Sequence, residues 1–181
     1  MVKYRTLVVD PPWSYTQPLG RDGADAHYRT TGMDDIAAIP VGDWAEDNAH
    51  LYLWTTNAFM DEAFDLVRAW GFTQKTILTW VKHREEQRWL GMGYYFRNAT
   101  EHVLFCVRGS LPTLRKDCST VFYAPRGRHS AKPQAFYDMV ETMSPGPYLD
   151  VFNREQRLGW DGWGFEAYTP AGLPEPERPA W

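Results

Sequence analysis

The chain has 181 residues, 44% of them hydrophobic, which points to one α/β domain with a full core. Cys106 and Cys118 exclude a disulfide framework and lack zinc-ligand spacing, the five histidines are scattered, and neither the start of the chain nor any apolar run has leader or membrane-spanning character, so a soluble cytoplasmic protein without a metal site is expected. The net charge of −4 hides an asymmetry: Lys82 to Lys132 carries ten basic and four acidic residues, the remainder nine and nineteen, so the middle segment is either one face for a polyanion or a set of ordinary solvated loop charges.

Leu7–Asp10 reads as the first strand, because Val8 and Val9 are β-branched. Gln17 to Thr31 is polar and glycine-containing and reads as a loop over the strand end. Met33 to Ile39 suits a short helix, and Asn48 or Ala49 through Trp54 a strand. Asn57 then caps a helix whose stripe is Phe59, Ala63, Phe64, Val67 and Trp70, closed by Gly71. Thr76 to Val81 is a third strand, Arg84 to Asn98 a charged second loop, and His102 to Val107 a fourth strand. After a loop over Gly109 to Lys116, Thr120 to Tyr123 suits a short strand, and Pro125 to Ser130 is basic and exposed. Pro133 fits the first turn of a helix running to about Met143, which Pro145-Gly146-Pro147 ends. Tyr148 to Phe152 is the last clear strand, and 169–181 a proline-rich tail beyond a domain over 1–168. Alternating strands and helices predict a twisted, largely parallel sheet flanked by helices.

The informative tetrapeptide is Asp10-Pro11-Pro12-Trp13, directly after the first strand. The prolines cannot continue a ladder, so the chain leaves the sheet at Asp10 on a stiff path. Ligands of open α/β sheets bind at the carboxyl ends of strands. A carboxylate and a carbonyl there can each accept one N–H of an exocyclic base amine, and the Trp13 face can stack on the base. The plainer reading is a proline-rich turn with Trp13 in the core.

The same tetrapeptide opens a longer series: Leu51-Tyr52-Leu53-Trp54, Trp70-Gly71-Phe72, Trp80-Val81-Lys82, Phe96-Arg97-Asn98 with Glu101-His102, Val107-Arg108-Gly109, His129-Ser130-Ala131-Lys132-Pro133, Asp150-Val151-Phe152-Asn153-Arg154 and Gly159-Trp160-Asp161. In this ordered set the chain resembles the adenine-N6 methyltransferase family of the eukaryotic messenger-RNA adenosine methyltransferase catalytic subunit, which also has bacterial and phage members. The resemblance implies a single Rossmann-like methyltransferase domain with a permuted motif order, catalytic tetrapeptide first and cofactor strand last. No Gly-x-Gly-x-x-Gly is present; the implied cofactor is S-adenosylmethionine.

On this resemblance Asp10, Pro11, Pro12 and Trp13 are catalytic, and Lys132, Asp150, Phe152, Arg154 and Glu166 line the cofactor. Tyr28, Lys82, Arg97 and Glu101 fall on the substrate side, with lysine and arginine meeting phosphate. Phe165 stands where the family usually has Asn, and the contacts that longer members make upstream of the tetrapeptide are expected to be missing. Phe165 stacking on the cofactor, weaker cofactor affinity, or a homo- or heterodimer whose partner completes the pocket are the alternatives. The implied reaction is methylation of adenine, in DNA ahead of RNA or a free nucleotide. A nucleic-acid-binding scaffold for an active subunit is the rival from another class, although such members lose the tetrapeptide.

Overall fold

Thr6 to Val9 is buried on both faces, and a strand covered on both sides belongs at the centre of a sheet. The computed structural model places it there. It describes residues 2–13, 33–84, 87–88, 90–91, 95–127, 131–153, 155–164 and 173. Strand β1 (Tyr4–Val9) lies between β2 (Ala45–Thr55) and β7 (Tyr148–Val151), parallel to both. β8 (Trp160–Trp163) extends the parallel half beyond β7. On the other side β5 (Thr100–Arg108) runs antiparallel to β2 and to β3 (Thr73–Arg84). The two-residue β4 (Gln87–Arg88) is antiparallel to β3, and β6 (Val121–Pro125) is parallel to it. The eight-stranded sheet is therefore mixed: it is parallel around β1, as expected, and antiparallel where β5 pairs with β2 and β3, the chain passing from β3 to β5 through β4 with no crossover helix among the described residues.

Strand periodicity divides the core. Leu7, Val9, Leu51, Leu53, Leu104, Leu149 and Val151 point to one face. There they meet Ile36 of α1 (Met33–Ala38), Trp44 of α2 (Val41–Trp44) and Ala63, Leu66 and Val67 of α3 (Met60–Ala69). Val8, Tyr52, Trp54, Trp80 and Val103 point to the other, against Phe136, Tyr137 and Val140 of α4 (Gln134–Met143). No helix among the described residues is long and apolar enough to cross a membrane.

Several boundaries differ from the sequence reading for local reasons. β2 and β3 start earlier than their apolar runs, because polar residues pair in the ladder as readily as apolar ones. Asn57 does not cap α3: it begins a 3-10 turn, Asn57–Phe59, and its Oδ1 meets His102 Nε2 at 2.7 Å. Pro133 stands at the N-cap rather than in the first turn. β4, α2 and β8 were not expected; each is four residues or fewer. Of the expected tail, Leu173 is described, and it is buried in the α1–α3 core. The expected loop over 17–31 lies outside the described residues.

Arg108 closes the sheet end away from the site. Its Nη1 donates to the Gly42 carbonyl at 2.6 Å, its Nε to the Gly71 carbonyl at 3.3 Å, and its Nη2 to the Trp70 carbonyl. These are carbonyls that α2 and α3 leave without helical partners. Arg108→Ala is expected to cost about 1–3 kcal/mol, lowering Tm by roughly 2–10 °C in a thermal melt, with only part regained by Arg108→Lys.

Candidate active site

The alternation of each strand decides which charged groups meet. Asp10 continues β1 one residue past Val9 and so falls on the α4 side, as do Asp150 on β7, Glu101 on β5 and Lys82 on β3. Lys132 enters from the segment just before α4. These groups form one chain of alternating charge. Lys132 Nζ lies 2.8 Å from Asp10 Oδ2 and 3.4 Å from Glu101 Oε2, and Lys82 Nζ lies 2.5 Å from Glu101 Oε1. Both lysines rest on indoles, Lys132 4.8 Å from the Trp54 ring centre and Lys82 5.1 Å from that of Trp80.

The charges hold one another ionised. Burial alone would lower the Lys132 ammonium, but Asp10 and then Glu101 outweigh it and raise its pKa above the ordinary lysine value. Burial likewise pushes Glu101 up, and Lys132 and Lys82 together bring it below the ordinary carboxylate range. Asp150 makes no ion pair among the described residues, and the pull of Arg157 and Lys132 does not outweigh its burial. It is 4% exposed, and burial raises its pKa to about 7, with Asp10 adding to the rise. The Tyr137 hydroxyl donates to its Oδ2 at 2.9 Å and opposes the shift.

The tetrapeptide turns tightly. Asp10 N–H still donates to the Val151 carbonyl at 3.3 Å, and Trp13 N–H donates back to the Pro11 carbonyl at 2.8 Å. Trp13 is half-buried, not sealed in the core: its Nε1 donates to the Trp54 carbonyl at 3.0 Å, and one ring face stacks on Phe59 with centroids 5.3 Å apart.

Beyond β7 the backbone is strained. Phe152 has φ 67°, rare for an aromatic residue and costing on the order of 1–3 kcal/mol. β8 approaches this turn so closely that a Cβ on Gly162 would lie 2.3 Å from Asn153 Nδ2, and one on Gly164 3.0 Å from the Asn153 carbonyl oxygen. Asn153 is 8% exposed, and its Oδ1 has no hydrogen-bond partner among the described residues.

A family model, MT-A70, matches residues 4–166. The chain belongs to the MT-A70 family. It is similar to the Type II methyltransferase M.MunI of Mycoplasma sp, 29% identical over 186 residues, which cover 91% of this chain and 78% of that protein. It is also similar to the human N(6)-adenosine-methyltransferase catalytic subunit METTL3, 28% identical over 86% of this chain and 26% of that protein. The Drosophila melanogaster N(6)-adenosine-methyltransferase MT-A70-like protein is 27% identical over 86% and 25%. The chain thus spans about a quarter of these two animal relatives. MT-A70 membership makes it a methyltransferase with a Rossmann-like fold, and the family uses S-adenosylmethionine. The residues present fit that cofactor: an amide oxygen without a partner among the described residues, a buried carboxyl and a lysine would suit its ammonium, hydroxyl and carboxylate groups.

Of the site residues read from sequence, Asp10, Lys132, Glu101 and Lys82 come together, with Pro11, Pro12 and Trp13 on the adjoining turn. Asp150 and Phe152 lie at the end of the neighbouring strand. Arg97 stands apart on the β3–β5 connection, where its Nε donates to the Gly91 carbonyl. Tyr28, Arg154, Phe165 and Glu166 lie outside the described residues. Sequence reading missed Trp54, Trp80, Tyr137, Phe59 and Asn153. For Trp54 the signal was present, since it shares its strand face with Tyr52.

The folded state keeps the Asp150 proton to about pH 7, whereas the unfolded chain gives it up near the ordinary 3.8. Stability therefore falls as pH rises through that window. Asp150→Asn, which keeps an acceptor for Tyr137, is expected to flatten the decline in Tm between about pH 4 and 7; an unchanged slope in calorimetric melts would place the titration elsewhere.

Proposed function

We propose that this MT-A70 methyltransferase moves the methyl group of S-adenosylmethionine to the exocyclic N6 amine of adenine, with DNA as the substrate. The observation that carries the reading is the end of β1, where a carboxylate and a carbonyl lie on a rigid turn beside an anchored indole. An amine conjugated to a base is a poor nucleophile. Asp10 accepts one of its N–H bonds. The Pro11 carbonyl accepts the other through a second lone pair, beside the Trp13 N–H. Both favour the positive charge that develops on nitrogen as the methyl group is captured. Lys132 keeps Glu101 as a partner when the amine takes Asp10, so no buried charge is stranded.

Trp13, backed by Phe59, offers its other face to the base. Extruding that base from a duplex costs a few kcal/mol. Bound S-adenosylmethionine supplies a sulfonium-activated methyl group. Asp150, Phe152, Asn153 and Lys132 hold it at the end of β7, and by resemblance Arg154 and Glu166 complete its pocket. By resemblance, Lys82, Arg97 and Tyr28 fall on the nucleic-acid side. Alignment of amine and methyl donor can supply on the order of 7–11 kcal/mol of the barrier reduction. DNA is favoured because the similarity covers 78% of a Type II methyltransferase. Adenine in RNA is the second reading, favoured by similarity to N(6)-adenosine-methyltransferases.

The test is incubation with isotope-labelled S-adenosylmethionine and separate DNA, RNA and nucleotide pools, followed by mass spectrometry of the digested nucleosides. The expected product is labelled N6-methyl-2′-deoxyadenosine from the DNA pool. Label confined to RNA or nucleotides moves the substrate. No label in any pool, with no calorimetric binding of S-adenosylmethionine, supports the scaffold.

A further inference from the structure

The β3–β5 connection presents an unusual pair of side chains. Tyr95 is 89% exposed and Phe96 87%, and Arg97 follows directly. Large aromatic surface left in water marks a contact with something else. Here hydrogen bonds tie the described ends of the segment together. Gly91 N–H donates to the Asn98 carbonyl at 2.7 Å, Arg97 Nε to the Gly91 carbonyl at 2.6 Å, and Lys82 N–H to the Ala99 carbonyl at 2.9 Å. The neck is thus closed, and it stands on the Lys82–Glu101 ion pair at the outer end of the charge chain. Phe96 is five residues from Glu101, at most about 17 Å along an extended chain, which is some five steps of a nucleic-acid strand.

From this placement we infer that Tyr95 and Phe96 are a base-stacking platform for unstacked nucleotides flanking the target adenine, with Arg97 on the adjoining phosphate. The inference rests on the nucleic-acid reading above and sharpens it: the substrate is a polymer with at least one unpaired neighbour, not a free nucleotide. Every base has a π-face, so an aromatic pair grips a strand without reading its sequence. The neighbouring cation suits this occupant. Arg97 follows the two exposed rings directly, within a stretch of sequence, Lys82 to Lys132, that has an excess of six basic residues, and a cation beside exposed aromatic rings matches a single-stranded nucleic acid better than an apolar protein surface.

The experiment measures binding without cofactor or turnover, so it is independent of whether adenine is methylated. A short single-stranded oligodeoxynucleotide, with 2-aminopurine beside its one adenine, is titrated with the full chain and followed by anisotropy and 2-aminopurine emission. Phe96→Ala is expected to weaken binding about 5- to 100-fold and to relieve the quenching, and Phe96→Trp to restore both. Arg97→Ala is expected to reduce the slope of log affinity against log salt by about 0.7. Because the Tyr95 and Phe96 side chains are exposed, melting temperatures of their variants should not move. Undiminished affinity and quenching in a Tyr95→Ala/Phe96→Ala variant would overturn the inference. So would unchanged affinity accompanied by a shift in sedimentation mass, which would assign the rings to a second copy of the chain.

Discussion

Lys132 is the cation on which the site depends. Its ammonium is shared between Asp10 and Glu101, its stem is almost fully covered, and the Trp54 ring lies beneath it. Without it, Asp10 would lose its ion pair beside a second acid, Asp150, and Glu101 would keep only Lys82. The net stabilisation from such a buried network is modest, because desolvation offsets most of the Coulomb attraction. Its contribution is arrangement. One side chain from the approach to α4 fixes the ends of β1 and β5, and Lys82 adds β3 through Glu101.

That arrangement explains why two carboxyls on adjacent strands differ so much. Asp10 is paired and partly exposed; Asp150 is buried against Tyr137 and held near neutrality. The first suits an acceptor for a base amine. The second suits a group that can donate or accept toward a cofactor. The strained Phe152 backbone and the close approach of Gly162 and Gly164 to Asn153 fix the turn that follows β7.

Much of this was legible in the sequence, for identifiable reasons. Val8-Val9 before Asp10-Pro11-Pro12-Trp13 fixes a strand and its abrupt end, and a period of two assigns Asp10, Glu101 and Lys82 to one face once the strands are placed. Lys132 was named only through resemblance, because no periodicity relates a loop residue to distant strand ends. The antiparallel half of the sheet was hidden because β3 and β5 have the same local pattern whichever way they pair. β8 was hidden because four residues containing two tryptophans and a glycine give no alternation to read. The role of Phe59 behind Trp13 was likewise invisible, since the two are 46 positions apart and meet only after α3 docks.

The central claim is that the carboxylate at the end of β1 receives the base amine. The most direct measurement is single-turnover methyl transfer by Asp10→Ala beside the wild-type chain, with thermal melts of both. Lys132 retains Glu101 in the variant, so the melt should change little. The rate should fall by about a hundredfold or more, as expected when a group aimed at developing charge is removed. A variant that folds normally and transfers methyl at the wild-type rate would contradict the account.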